Sequence, residues 1–317
     1  MNRGIKICFI TVTVILLVIA AILFYVPYIV FKGIFSRPSR STKVPDFYKD
    51  SPHYKVSRAG MKVMDTLYKE DLYMTSRDGL KLHAHYYPVD GESKKFVLGI
   101  HGYRSYARPE YGPYIEFYRS LGYNMLLPDD RAHAPSEGEY IGFGVLDRLD
   151  CVDWAKYIVE TYGEDVEILV HGVSMGGATV LAASGEEDLP VQVKGIISDC
   201  GFTSPWEALS TQLKDMAHLP AADRILAKVE KICIKKAGFN LHDHAAVDQV
   251  KKAKVPILFV QGKKDAMVPY HMAEELYEAC GSKKRLLMVE EAGHAESIAF
   301  KPDEYHKAII EHFELNN

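Results

Sequence analysis

The sequence predicts an α/β fold: a mostly parallel sheet flanked by helices, with a helical insertion above the sheet and one transmembrane helix in front. Three observations carry this. Short apolar runs rich in β-branched residues alternate with segments of helical periodicity from about residue 96 onward, the rhythm of a parallel sheet covered on both faces. One strand-to-helix junction carries Gly172-Val173-Ser174-Met175-Gly176 between an apolar run and an alanine-rich one, the flanks this motif requires. Residues 7–31 contain no charged side chain, more than the roughly 20 residues needed to span a bilayer.

Composition fits this class and narrows the function. The chain has 317 residues, 48% of them hydrophobic and 25% charged, ordinary for a globular protein. A net charge of −4 gives no support to nucleic-acid binding. Cys8, Cys151, Cys200, Cys233 and Cys280 show no C-x-x-C spacing, so no zinc motif and no disulfide framework is expected.

Taken in order, residues 1–32 read as an uncleaved signal anchor. The apolar run exceeds a signal-peptide core and ends without a cleavage site, and Tyr25 and Tyr28 suit an interfacial belt. Arg3 and Lys6 flank one side, Lys32, Arg37, Arg40 and Lys43 the other, so charge does not set the orientation. Nothing later returns the chain through the membrane. The expectation is a single-pass protein of the cell membrane with an extracytoplasmic catalytic domain.

Residues 33–69 read as a basic, proline-bearing linker (Pro38, Pro45, Pro52) followed by a packing helix with Val56, Met61, Met64 and Leu67 at helical spacing. The main domain is expected over 70–317. It opens with a hairpin turning at Arg77-Asp78-Gly79. A buried strand over 96–100 runs into His101-Gly102-Tyr103. A helix over 114–121, a strand over 122–128, a polar loop over 129–138 and a helix over 146–162 lead to the Ser174 junction. Strands follow over 193–199, 255–261 and 285–290, with helices over 270–279 and 302–313. Between 199 and 255 no strand pattern occurs. A helical lid over about 204–250 is expected there, above the carboxyl edge where ligands bind. Trp206, Leu213, Met216, Leu219, Ile225 and Leu226 form either an apolar roof or the packing face of its helices.

The chemistry follows from Ser174. A serine needs a base in hydrogen-bond reach and a third group to orient that base, and behind such a junction both follow in chain order on loops after later strands. Asp265, after the strand ending at Gln261, fits the acid; Asp199 and a purely capping role for Asp265 are the alternatives. His294, after the last strand and behind Gly293, fits the base. An oxyanion needs two N–H donors in place, and the backbone groups of Tyr103 and Met175 stand where they are required. His242-Asp243-His244 lacks a third ligand at metal spacing and is a weak metal candidate. His101 and His133 read as structural, Asp129 and Arg131 as a pair bracing their loop, and Arg104 as either a contact for an acidic substrate or a solvated side chain.

Together, His101-Gly102-Tyr103, Asp129-x-Arg131-x-His133 with Ser136-x-Gly138, Gly172-x-Ser174-x-Gly176-Gly177, Gly262-x-x-Asp265 with Val268-Pro269, and Gly293-His294 resemble the α/β-hydrolase superfamily. The likeness covers about residues 70–315. It is nearest to bacterial membrane-anchored or exported serine esterases and acylaminoacyl-peptidase-like hydrolases, as is the stretch Asp199-Cys200-Gly201-Phe202-Thr203-Ser204. One departure is Arg131-Ala132-His133-Ala134, where the family pattern has glycines in place of both alanines. The resemblance implies Ser174 as nucleophile, Asp265 as acid, His294 as base and Tyr103 with Met175 as oxyanion donors, with no metal and no organic cofactor.

The expected function is a serine hydrolase cleaving carboxylic esters of small molecules through an acyl-enzyme. A peptidase or amidase acting on peptide substrates is the second reading, because such a triad does not by itself separate ester from amide. A catalytically inactive, membrane-tethered binding protein is the third, because fold does not fix function.

Overall fold

The computed structural model describes residues 3–38, 51–133, 135–216 and 221–315; within these, the side chains of residues 3–5, 16–24 and 215–216 are outside the description. The linker residues Arg40, Lys43 and Pro45, and also Ala134 and Leu219, lie outside the described residues, as does the side chain of Met216.

The chain begins with helix α1, Arg3–Phe35, continuous through Pro27. Among the described residues, no helix is long and apolar enough to cross a membrane, so the structure does not carry the transmembrane assignment. The far end of α1 also differs from the linker expected after residue 32. Phe31 and Phe35 are fully buried. Phe35 packs against Phe143 and Phe239, with ring centroids 5.6 and 5.9 Å away, and Phe31 packs against Tyr140 at 5.3 Å. Arg37 Nη1 then donates to the carbonyls of Ser136 and Gly138 at 2.7 and 3.1 Å. The physical reason is composition: Phe31, Ile34 and Phe35 continue the apolar stripe past Lys32, and it is buried against the domain.

Helix α2, Pro52–Met64, starts where Ser51 accepts a hydrogen bond from the Tyr54 N–H at 3.1 Å and Pro52 takes the first turn, a favourable start because proline's missing donor is not needed there. The sheet follows. Its strands are β1 (Glu70–Thr75), β2 (Lys81–Tyr87), β3 (Lys95–Ile100), β4 (Asn124–Pro128), β5 (Glu167–Val173), β6 (Val193–Asp199), β7 (Ile257–Gly262) and β8 (Lys284–Val289). They lie in the order β1-β2-β4-β3-β5-β6-β7-β8. The hairpin β1–β2 and the β2–β4 pair are antiparallel; every later pair is parallel.

Strand β3 shows why its residues choose a sheet centre. Phe96, Leu98 and Ile100 enter one core and Val97 the other, the period-two division of a strand covered on both faces. The first core is closed by α5 (Asp147–Tyr162), α6 (Met175–Ala183) and α10 (His271–Ala279), through Trp154, Ile158, Val180, Leu181 and Leu276. The second is closed by α2, α4 (Ile115–Ser120) and α12 (Pro302–Phe313), through Met64, Ile115, Tyr118, Tyr305 and Ile309. Short helices α3 (Ala107–Tyr111) and α11 (Ser297–Phe300) complete these layers. All five cysteines are unpaired, and only Cys8 is exposed.

Between β6 and β7 run α7 (Pro205–Thr211), a π turn over Gln212–Met216, α8 (Ala222–Ala237) and α9 (Ala246–Gln249). Ser204 caps α7 by accepting from the Glu207 N–H at 3.1 Å. Leu226, Val229 and Cys233 of α8 are fully buried in a third core with Phe31, Phe35, Phe143 and Phe202, and Leu213, Ile225 and Trp206 pack at its margin. Of the two readings of these side chains, the described ones take the packing role: they fasten the insertion and the end of α1 to each other.

Candidate active site

Ser174 lies between β5 and α6 with φ 57° and ψ −115°, a backbone conformation that non-glycine residues hold only when their surroundings enforce it. The enforcement is visible. The Ser174 N–H donates to the Asp199 carbonyl at 2.8 Å, and the Ser174 carbonyl accepts from the Ala178 N–H at 3.0 Å. Gly176 is needed because a Cβ there would stand 1.9 Å from the Ile100 carbonyl oxygen. The turn therefore packs directly on the end of β3.

Asp265 sits in the loop after β7, 6% exposed. Its Oδ1 accepts from the N–H groups of Met267 and Val268, both at 2.8 Å, and its Oδ2 accepts from Gln261 Nε2 at 3.0 Å. These donors fix the carboxylate plane before any partner is added. Oδ2 also lies 2.7 Å from His294 Nδ1. On the other side of the ring, His294 Nε2 lies 2.8 Å from Ser174 Oγ. The structure thus brings Ser174, His294 and Asp265 into one hydrogen-bonded line from the ends of β5, β8 and β7. Burial alone would lower the pKa of His294; the hydrogen bond to Asp265 and its charge outweigh that, with Glu110 and Asp199 adding, and the net shift is upward.

Asp199, the alternative acid, does not reach the imidazole by a hydrogen bond. It is fully buried at the end of β6, where Tyr114 Oη donates to its Oδ2 at 3.3 Å. Burial raises its pKa to about 7.

The two expected oxyanion donors flank the serine. Met175 is the first residue of α6, where a backbone N–H has no acceptor within its own helix. Gly102 brings the loop after β3 against Ser174: a Cβ there would stand 3.3 Å from both Ser174 Cβ and the Val173 carbonyl oxygen. Tyr103 follows it, with its side chain turned to α1, where Tyr103 Oη donates to the Ile34 carbonyl at 2.8 Å.

The profile of the prolyl oligopeptidase family matches residues 143–313, more than half the chain and the segment that holds Ser174, Asp265 and His294. The chain belongs to that family. Its fold is that of the serine-type α/β hydrolases. Among solved structures it is similar to an esterase from Pyrococcus furiosus, Pf2001, with 23% identity, a TM-score of 0.66, and coverage of 88% of this chain and 97% of that one. It is also similar to the acylaminoacyl peptidase of Pyrococcus horikoshii, with 17% identity, a TM-score of 0.57, and coverage of 80% of this chain and 43% of that one. Among curated sequences, it is 26% identical over 205 residues to the uncharacterized protein YqkD of Bacillus subtilis, covering 64% of this chain and 66% of that protein.

Around these three residues of this prolyl oligopeptidase family member, one expectation needs correction. Asp129 and Arg131 do not pair. Arg131 forks onto Asp150 of α5, with Nε and Nη2 at 2.6 and 2.7 Å from its two oxygens, and its Nη1 reaches Asp78 of the β1–β2 turn at 2.9 Å. Asp129 instead faces His83 Nδ1 at 2.8 Å. The bidentate geometry of a guanidinium matches one carboxylate plane well, and the plane available is on the helix. Arg104 is exposed, as the reading of a solvated side chain has it, and it also donates to the Gly33 carbonyl of α1 and lies over the Tyr103 ring, 5.1 Å from its centroid.

The other histidines go to separate places. His101 Nε2 accepts from the Asp130 N–H at 3.0 Å, and His133 Nε2 accepts from the Arg104 N–H at 3.1 Å. Burial lowers the pKa of His133 to about 3, which keeps it the neutral acceptor this bond needs. The ring of His242 stacks on Trp206 at 4.6 Å, while His244 Nε2 lies 2.9 Å from Arg148 Nη2, so the two diverge.

One acidic residue beside the serine was not singled out in the sequence. Glu110 of α3 is 7% exposed, and its Oε2 lies 3.5 Å from the point above Gly102 where a Cβ would stand. That point is the one in contact with Ser174 Cβ. The sequence offers no signal for it, since an acid in a first helical turn is ordinary.

Proposed function

We propose that this chain is a serine hydrolase that cleaves carboxylic esters through an acyl-enzyme. The observation that supports this best is the unbroken line from Ser174 Oγ through the imidazole of His294 to Asp265, at 2.8 and 2.7 Å. His294 Nε2 takes the Ser174 proton as Oγ attacks the ester carbon. The oxyanion forms toward the backbone N–H groups of Met175 and Tyr103, and each such donor is worth about 10²–10³ in turnover. The protonated ring gives its proton to the leaving alkoxide. Water, deprotonated by the same nitrogen, then releases the acid and restores Ser174.

A second reading, cleavage of aminoacyl or peptide amides, has one observation in its favour. Glu110 Oε2 lies 3.5 Å from the point above Gly102 that also contacts Ser174 Cβ, and a carboxylate in that neighbourhood supports binding of a substrate ammonium near the scissile carbonyl.

The chain is further proposed to be anchored by residues 7–31 in the cell membrane, with the catalytic domain on the extracytoplasmic side. The length and the absence of charge in that run support it. After alkaline carbonate washing of membranes, the full chain is expected to stay in the pellet, and protease added to intact cells is expected to cut the catalytic domain. Release by carbonate would remove the anchor, and protection in intact cells would reverse the orientation.

The catalytic reading is tested with a fluorophosphonate probe and graded p-nitrophenyl esters beside aminoacyl p-nitroanilides. The wild type is expected to label and to turn over esters, and Ser174→Ala to lose labelling and about 10⁶ in kcat. Folded wild type that never labels would leave a tethered binding protein; faster turnover of anilides than of every ester would put the amide reading first.

A further inference from the structure

Away from the triad, on the outer edge of the sheet, the antiparallel register of β1 and β2 places Asp71 opposite His85 and Tyr73 opposite His83. Period-two alternation puts Asp71, His83 and His85 on one face. Three nitrogens converge there on a single oxygen: Asp71 Oδ1 lies 2.8 Å from His85 Nδ1, 3.2 Å from His83 Nε2 and 3.0 Å from Lys69 Nζ. The two ring nitrogens and the carboxylate oxygen all lie within 4.8 Å of one another.

His83 makes this more than a surface ion pair. Its side chain is 2% exposed, and both ring nitrogens face carboxylate oxygens, Nδ1 meeting Asp129 Oδ2 at 2.8 Å. A neutral imidazole has one N–H. Donated to the nearer partner, Asp129, it leaves the Nε2 lone pair pointing at an anionic oxygen. That arrangement is repulsive unless a cation lies between them or the ring carries a second proton. An imidazole with Nδ1–H on a carboxylate and Nε2 free is also the arrangement in which histidine ligates a metal, the carboxylate fixing the tautomer and ring plane.

We infer that Asp71 Oδ1, His83 Nε2 and His85 Nδ1 form a binding site for Zn(II), with water as fourth ligand and Asp129 orienting His83. Two imidazoles and one carboxylate suit zinc over magnesium or calcium. Ligand bonds of about 2.0–2.1 Å in a tetrahedron separate the ligand atoms by about 3.3–3.4 Å. The observed 3.2 and 2.8 Å edges open by about 0.1–0.2 and 0.5–0.6 Å to reach that spacing, and the edge between the two ring nitrogens lies within 4.8 Å. The charged groups facing the site are Lys69, Asp71 and Asp129, and the Lys69 ammonium, also 3.4 Å from His85 Nδ1, occupies the cation's side of the carboxylate. Lys69 is therefore the competitor, and the site exchanges an ammonium for a metal ion. Zinc there would clamp the edge hairpin, through His83 and Asp129, to the start of the loop that carries Arg131 and His133.

The test is titration of the full chain with Zn(II) by calorimetry and with Co(II) by visible absorption, with Mg(II) as the control. One Zn(II) per chain, a tetrahedral Co(II) spectrum and no Mg(II) binding are expected. His85→Ala and Asp71→Asn, at side chains 18% and 49% exposed, should each weaken zinc at least tenfold. Lys69→Gln should tighten it, whereas a mere ion-pair network would gain no affinity from that change. Cys200, Asp265 and His294 also bring possible ligand atoms together, so Cys200→Ala should leave the affinity unchanged. No zinc binding by wild type or Lys69→Gln, or binding that survives His85→Ala and Asp71→Asn but is lost in Cys200→Ala, overturns the inference.

Discussion

The ring of His294 is held between two demands. As the proposed base it must be neutral; as the partner of Asp265 it is favoured in its charged form. Its pKa is raised because the carboxylate's hydrogen bond and charge outweigh burial, so kcat/KM is expected to rise with pH through an apparent pKa above the ordinary 6.5 of histidine. Asp265→Asn removes that support. The acidic limb should move down the pH scale while kcat falls about 10⁴-fold, measured as a full pH–rate profile on the ester that the wild type turns over best. The same shift bears on stability. The raised pKa favours the folded state fully below about pH 6.5, and the contribution is lost as pH rises through the folded value. Ser174, His294 and Asp265 were legible because each is fixed by something local: a motif with flanks, then a loop at the end of a particular strand. The partners of Asp129 and Arg131 were not. Their side chains leave the same loop in different directions, one to a histidine on β2 and one to a carboxylate on α5, and no spacing in the loop encodes that choice. Glu110 was hidden for a similar reason, since its place beside Ser174 depends on how α3 folds back after β3.

At the scale of elements, the turn between β5 and α6 leaves no room for an added side chain. β5, α6 and the end of β3 meet at Gly176, and the 1.9 Å approach that a Cβ would make is to a backbone carbonyl, which cannot rotate away. Gly176→Ala should lower stability by at least about 1–3 kcal/mol and abolish probe labelling even where the protein still folds; denaturant unfolding and fluorophosphonate labelling read the two effects separately. The strands were legible from alternation and β-branching, and the hairpin turn at Arg77-Asp78-Gly79 stands where the glycine predicts it, with Gly79 at φ 90°. The end of α1 was not legible. Lys32 and the prolines beyond it suggest departure from an apolar environment, and only the packed structure shows Phe31 and Phe35 entering a second one formed by Phe143, Phe202 and α8.

At the scale of the whole molecule, that packing joins the first helix to the loop after β3. Tyr103 and Arg104, directly after Gly102, both donate to carbonyls of the last turns of α1. A chain shortened to begin at residue 38 should lose melting temperature and esterase activity together. One beginning at Tyr25 should keep both. Phe35→Ala tests the contact without truncation, with an expected loss of about 3–5 kcal/mol in urea unfolding. If a chain lacking residues 1–37 is as active and as stable as the one starting at Tyr25, α1 is a passenger and not a wall of the site.

The unpaired cysteines carry a last consequence. Cys151, Cys200 and Cys233 are fully buried, and burial pushes their ionisation upward, that of Cys233 to about 12. Thiolate is the reactive species toward oxidants and alkylating agents, so these sulfurs are chemically silent while the protein is folded. With all five cysteines free, dithiothreitol should not move the melting temperature, and iodoacetamide should leave Cys151, Cys200 and Cys233 unmodified in the native state.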